Sequence, residues 1–189
     1  QDQEPRSALA TTASLADPIA DSTFARLTVS LSGAGGYFDT DNLISNESSY
    51  LHVLPQLEGL EIRGGVYLGV GPDQNFSYMS HLQPELAFII DIRRDNQLMH
   101  LLYKALFEIA PDRYSFLALL FGRDVSASLA QKPDDIDSAL DSVEQSPKSN
   151  MTALRRTITE KIDSFGIELS EEDYETIWGF HARFIEGGP

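Results

Sequence analysis

Two short apolar runs constrain this chain more than any other feature. "GGVYLGV" (64–70) and "ELAFIIDI" (85–92) have the composition of strands and are apolar almost without a break. Runs of that kind suit strands covered on both faces. Between them, "PDQNFSYMSHLQ" suits a helix opened by Pro72, with Asp73 near its positive N-terminal end. After the second run, Leu98, Leu101, Leu102, Ala105, Leu106 and Ile109 recur at helical spacing. The order strand, helix, strand, helix with short joints predicts a parallel βαβα unit with a right-handed crossover.

Helices are expected around this unit. Asp21 or Ser22 can cap one that carries Phe24, Leu27, Val29 and Leu31, which Gly33, Gly35 and Gly36 then stop. Ser45 or Asn46 can cap a second, with Tyr50, Leu51, Val53, Leu54 and Leu57 on its apolar face and Pro55 kinking or ending it. "RYSFLALLFG" reads as a buried helix ending near Gly122, and two amphipathic helices close the chain. The first of these carries Leu154, Ile158 and Ile162; the second opens on Ser170 with Glu171, Glu172 and Asp173 behind it. The expected organisation is a flexible terminus (1–16), a helical cap and polar lid (17–60), a ligand-binding core (61–125), an acidic linker (126–149) and a helical pair (150–189). Two strands are few against the about five or six of a usual α/β sheet. The ending "EGGP" just past a helix therefore leads us to expect a truncated sheet with strands beyond it.

Composition narrows the function classes. The chain has 189 residues, 42% hydrophobic and 23% charged, which suits one globular domain. Its net charge of −15 repels a nucleic-acid backbone, and no basic patch offsets it. Without cysteine, disulfides, thiolate catalysis and Cys-ligated zinc are excluded. No run approaches the roughly 20 apolar residues of a membrane span. A soluble protein is expected, either cytoplasmic or exported after removal of a signal peptide, since the first residues read as a processed terminus.

In an open α/β sheet, ligands settle beyond the carboxyl ends of the strands. Gly69 and Gly71 sit at such an end, where missing side chains and the free N–H groups of a following helix would admit a ligand. Asp91 closes the next strand about 20 residues on, where nucleotide-binding folds place an acid for ribose hydroxyls. Arg93 and Arg94 could pair with a ligand carboxylate.

"YLGVGPDQN" followed by "FIIDIRRDNQ" resembles the cofactor half of class I S-adenosylmethionine-dependent methyltransferases. The resemblance implies an α/β, Rossmann-like, methyltransferase-type parallel sheet with helical N-terminal and C-terminal segments. It also implies S-adenosylmethionine held by Gly69, Val70, Gly71, Asn75, Asp91, Ile92 and Arg93. Tyr67 stands where those enzymes usually have an acid, and Asp73 where they have a third glycine. Across nearly its whole length the chain also resembles an uncharacterised bacterial family, on the stretches "GGYFDTDNLISNE" and "GVGPDQNFSY".

Ahead of the first strand, "YFDTDNLISNESSY" gathers Asp39, Asp41, Asn42, Asn46 and Glu47. Folded over the strand ends, these would form a lid facing the methyl acceptor, with Tyr37 or Phe38 stacking there. The block is not a calcium loop: Leu43, Ile44 and Tyr50 stand at the next ligand, glycine and closing-acid positions. The four histidines form no zinc motif, and His52 is the general-base candidate. Two functions follow. One is a methyltransferase-like enzyme of unknown acceptor; the other is a non-catalytic Rossmann-like module binding a small molecule or a partner.

Overall fold

The computed structural model describes residues 18–37, 43–45, 48–126 and 133–189. They divide into two compact units. One takes in Pro18 and the described residues of Ser45–Ile89, and the other those of Ile19–Ile44 and Ile90–Pro189.

The first unit holds the sheet. A 3-10 helix, Ser48–Val53, runs directly into α2, Leu54–Gly59. Pro55 lies in the first turn of α2, where a missing N–H costs nothing, so the proline starts a helix instead of ending one. Next come β1 (Val66–Val70), α3 (Gln74–Leu82) and β2 (Leu86–Ile90). Gly64 and Gly65 precede β1 with φ of 78° and 71°, left-handed values that glycine adopts without strain. The Gly64 N–H donates to the Leu82 carbonyl, and the Gly65 carbonyl accepts from Glu85 and Leu86, so this bend closes the β1–α3–β2 crossover.

The expected Rossmann-like sheet is corrected here. Among the described residues the sheet has two parallel strands, and the rest of the fold is mostly helical. The strand–helix–strand order was legible, but one such crossover is compatible with many architectures. The remaining apolar residues recur every three or four positions and pack as helices, so they add no strand. Nor is β1 covered on both faces: Val66, Leu68 and Val70 stand in solvent.

The second unit is built around α4, Arg94–Ile109. Leu98, Met99, Leu101, Leu102, Tyr103, Ala105 and Leu106 are all buried, a spread too wide for one face. The helix is enclosed because it packs against α5 (Arg113–Leu120), α7 (Met151–Ser164) and α8 (Glu171–Gly187). On α7 the buried stripe is Leu154, Ile158 and Ile162, each four residues from the last, and Phe165 continues it. α8 contributes Ile177, Phe180 and His181. Its N-terminus carries a full capping box between Ser170 and Asp173. Truncating any one of the enclosed leucines or isoleucines to alanine costs about 2–5 kcal/mol.

α1, Asp21–Leu31, joins this unit through Phe24, whose ring meets Phe165 edge-on with centroids 6.0 Å apart. The Lys104 ammonium caps both rings, 4.9 Å from the Phe24 centroid and 4.5 Å from that of Phe165. No side chain caps α1; its N-cap position is Ala20, not Asp21 or Ser22. Within the acidic stretch lies α6, Ile136–Gln145, capped by Asp135. Its Ala139 and Val143 are buried with Tyr114, Ala118 and Val125, and the Tyr114 hydroxyl lies 2.9 Å from Ser142 Oγ. The Ile136–Gln145 face thus belongs to the core, although its many acids read as a linker.

Candidate functional site

The residues expected to bind a cofactor fall into two sets. Gly69, Val70, Gly71 and Asn75 lie together in the first unit, whereas Asp91, Ile92 and Arg93 belong to the second. Asp39, Asp41, Asn42, Asn46 and Glu47, expected to face an acceptor, lie outside the described residues, as does Phe38.

Asn75 is the centre of the first set. It is 1% exposed, and its Nδ2 donates to the carbonyls of Val70, Gly71 and Pro72 at 3.2, 3.4 and 2.7 Å. Its Oδ1 accepts from the Tyr67 hydroxyl at 2.7 Å. Burial, together with Tyr78, holds the Tyr67 phenol above its ordinary pKa, so it remains a donor. A Cβ on Gly69 would lie 2.0 Å from Asn75 Oδ1 and 2.6 Å from Tyr67 Cε1. The missing side chain is therefore accounted for by the protein's own amide and ring. Gly71, with φ of 83°, turns the chain from β1 towards α3.

The N-terminus of α3 is likewise engaged. The Gln74 N–H donates to Ser45 Oγ at 3.0 Å, and the Ser45 hydroxyl returns a bond to Gln74 Oε1 at 2.6 Å. The Ser45 N–H donates to Asp73 Oδ1 at 2.7 Å. Ser45 or Asn46 was expected to cap the helix carrying Tyr50; Asn46 lies outside the described residues, and Ser45 serves α3, a pairing across 29 residues that no local pattern announces.

In the second set, Asp91 is held by Arg93. The Arg93 backbone N–H and Nε donate to Oδ1 at 2.8 and 3.1 Å, and Nη2 donates to Oδ2 at 2.9 Å. Burial pushes the Asp91 carboxyl up, but the Arg93 hydrogen bonds and charge outweigh it and leave the group below its usual range. The acid expected to receive ribose hydroxyls thus has a guanidinium across it. Ile92 packs on Gly36, where a Cβ would come within 2.4 Å of Ile92 Cγ1, and the Gly36 N–H donates to the Ile92 carbonyl at 2.8 Å. Arg94 turns to α8, donating to Asp173 through Nε and Nη2 at 3.1 and 2.9 Å.

Of the histidines, His52 is exposed on the 3-10 helix, and His81 pairs with Glu58 at 3.2 Å. A surface depression of about 450 Å³ lies along α6, lined by Ser138, Asp141, Ser142, Gln145, Ser146 and Pro147, and none of the expected site residues reaches it. Among the described residues no group of three His, Asp or Glu could hold a metal ion. No helix among them is long and apolar enough to cross a membrane.

What the sequence reading missed is the outer face of β1. In "VYLGV" the aliphatic residues alternate with Tyr67 and Gly69, a period of two that signals one covered and one open face. Tyr67 and Gly69 meet α3 through Asn75; Val66, Leu68 and Val70 point the other way.

No curated protein matches the chain. A family described as a domain of unknown function (DUF7790) matches it over residues 42–178, from before the 3-10 helix into α8. That span covers most of the chain, β1 and the enclosed α4 included, and on it the protein belongs to the DUF7790 family.

Proposed function

We propose that this protein is a binding module, with β1 as the docking strand for an extended apolar segment of a partner protein. One observation carries the reading: Val66, Leu68 and Val70, on one face of β1, are 68, 66 and 65% exposed. Parallel strands are ordinarily covered on both faces. Covering such side chains fully is worth about 1.5–3 kcal/mol each. Among the described residues β1 pairs with β2 alone, so its other edge offers backbone donors and acceptors to an added strand. The net charge of −15 opposes docking of a second copy and favours a segment flanked by lysine or arginine.

Methyl transfer has less support. It drew on a larger sheet, a glycine turn open to ligand and a free acid at Asp91. Those places are taken by two strands, by Asn75 and by Arg93.

The test is fluorescence anisotropy with a labelled peptide of about nine alternating valines and threonines, a strand's length, flanked by lysines. Saturable binding is expected, weakened by about tenfold or more in Leu68→Lys, with a glutamate-flanked version binding less well. Absence of binding, or equal binding by Leu68→Lys, overturns the proposal. Self-association in sedimentation velocity that Leu68→Lys abolishes would overturn it too, by giving the strand to a second copy.

A further inference from the structure

His181 is enclosed by the second unit, 1% exposed on α8. Its Nε2 lies 2.9 Å from the Leu119 carbonyl oxygen of α5. A carbonyl only accepts, so Nε2 carries the proton and Nδ1 is the bare nitrogen of a neutral ring. Nδ1 is buried with no hydrogen-bond partner. The Leu119 carbonyl therefore receives one N–H of the ring, while a proton added at Nδ1 meets no hydrogen-bond partner in this geometry.

The surroundings sharpen this. α5 presents the backbone of Leu119 and Leu120, and the charge that bears on the ring is Arg155 of α7, of the same sign as an imidazolium. Arg155 lies over the Trp178 ring at 5.5 Å, and the Trp178 and His181 rings are 6.3 Å apart. Among the described residues of α4, α5, α7 and α8, no carboxylate acts on it. Protonation would thus bury a cation with an unpaired N–H beside a like charge.

We propose that His181 is an acid-sensitive latch: neutral, it ties α8 to α5 through Leu119; doubly protonated, it cannot stay in place, and α8 is released. Burial holds the folded ring's pKa below its ordinary value, with the Leu119 and Leu120 carbonyls opposing and Arg155 reinforcing the shift. The unfolded chain then binds the proton first. The latch's stability is present above about pH 6.5 and is lost as pH falls from there through the folded value. Carboxylates such as Asp173, whose pKa lies below the usual carboxylate range, act at lower pH and do not share this window.

The chain's one tryptophan, Trp178, lies a turn before His181 and reports on α8. Urea unfolding followed by its emission is run between pH 8 and 5.5 on the wild type and on His181→Gln, whose amide can still donate to Leu119 but never ionises. The wild-type folding constant is expected to fall by up to about fivefold over the last unit of pH, with His181→Gln flat. A flat wild type, or an equal slope in His181→Gln, overturns the latch. Should the variant not fold, imidazole ¹⁵N shifts of the wild type decide. A neutral, Nε2-protonated His181 at pH 6.5 is expected, and a charged ring with α8 still in place refutes the proposal.

Discussion

The carboxamide of Asn75 stands where a side chain on Gly69 would begin, its Oδ1 2.0 Å from the position of a Cβ. Because that amide also donates to three carbonyls at the β1–α3 bend, displacing it weakens three hydrogen bonds together. Gly69→Ala is expected to cost about 1–3 kcal/mol in urea unfolding. Asn75→Ala is expected to cost a similar amount, about 1–3 kcal/mol, by removing those hydrogen bonds and the one from Tyr67. The double variant should cost less than the sum, since removing the amide relieves the larger of the two clashes.

The two faces of the molecule's apolar content should respond oppositely. Leu68→Lys changes a side chain already in water and is expected to shift stability by less than about 0.5 kcal/mol, while lowering the binding of a hydrophobic dye. Leu102→Ala, in the enclosed α4, is expected to cost about 2–5 kcal/mol. Denaturation midpoints and dye fluorescence on the same samples check both.

Much of this was legible in the sequence. The apolar spacing of Leu98 to Ile109 located α4, and Ser170 with its acids located the start of α8. Both signals are local, so a single segment suffices to read them. Gly69 left two readings open because a glycine records only that space is needed, not whether a ligand or a neighbouring amide takes it. Nor could the reading at Asp91 tell a receptive acid from one gripped two residues on by Arg93. Ser45 and Gln74 are 29 residues apart, and their pairing exists only once the chain has folded.

Asp173 links the Ser170 cap to Arg94, and its carboxyl is held below the usual range by the Arg94 guanidinium, with burial opposing. A depressed folded pKa means that this stability is present above the unfolded value of about 3.9 and lost as pH falls through the folded one. Asp173→Asn is expected to cost about 1 kcal/mol at pH 7, a modest figure because Arg94 is partly in solvent, and to flatten acid unfolding below about pH 4. Circular dichroism against pH, compared with the wild type, checks this.

S-Adenosylhomocysteine at millimolar concentration is expected to give only heat of dilution in calorimetry, because Asn75 fills the Gly69 turn, Ser45 caps α3 and Arg93 covers Asp91. A saturable isotherm weakened by Asp91→Ala would restore the methyl-donor reading.

Because α4 is wrapped by α5, α7 and α8, its central amide hydrogens can meet solvent only when the surrounding helices come apart. Deuterium should therefore reach Leu102 and Leu106 last, at a rate set by the opening of the whole second unit. That slow pair supplies an internal clock against which quicker labelling of α8 in mild acid can be timed.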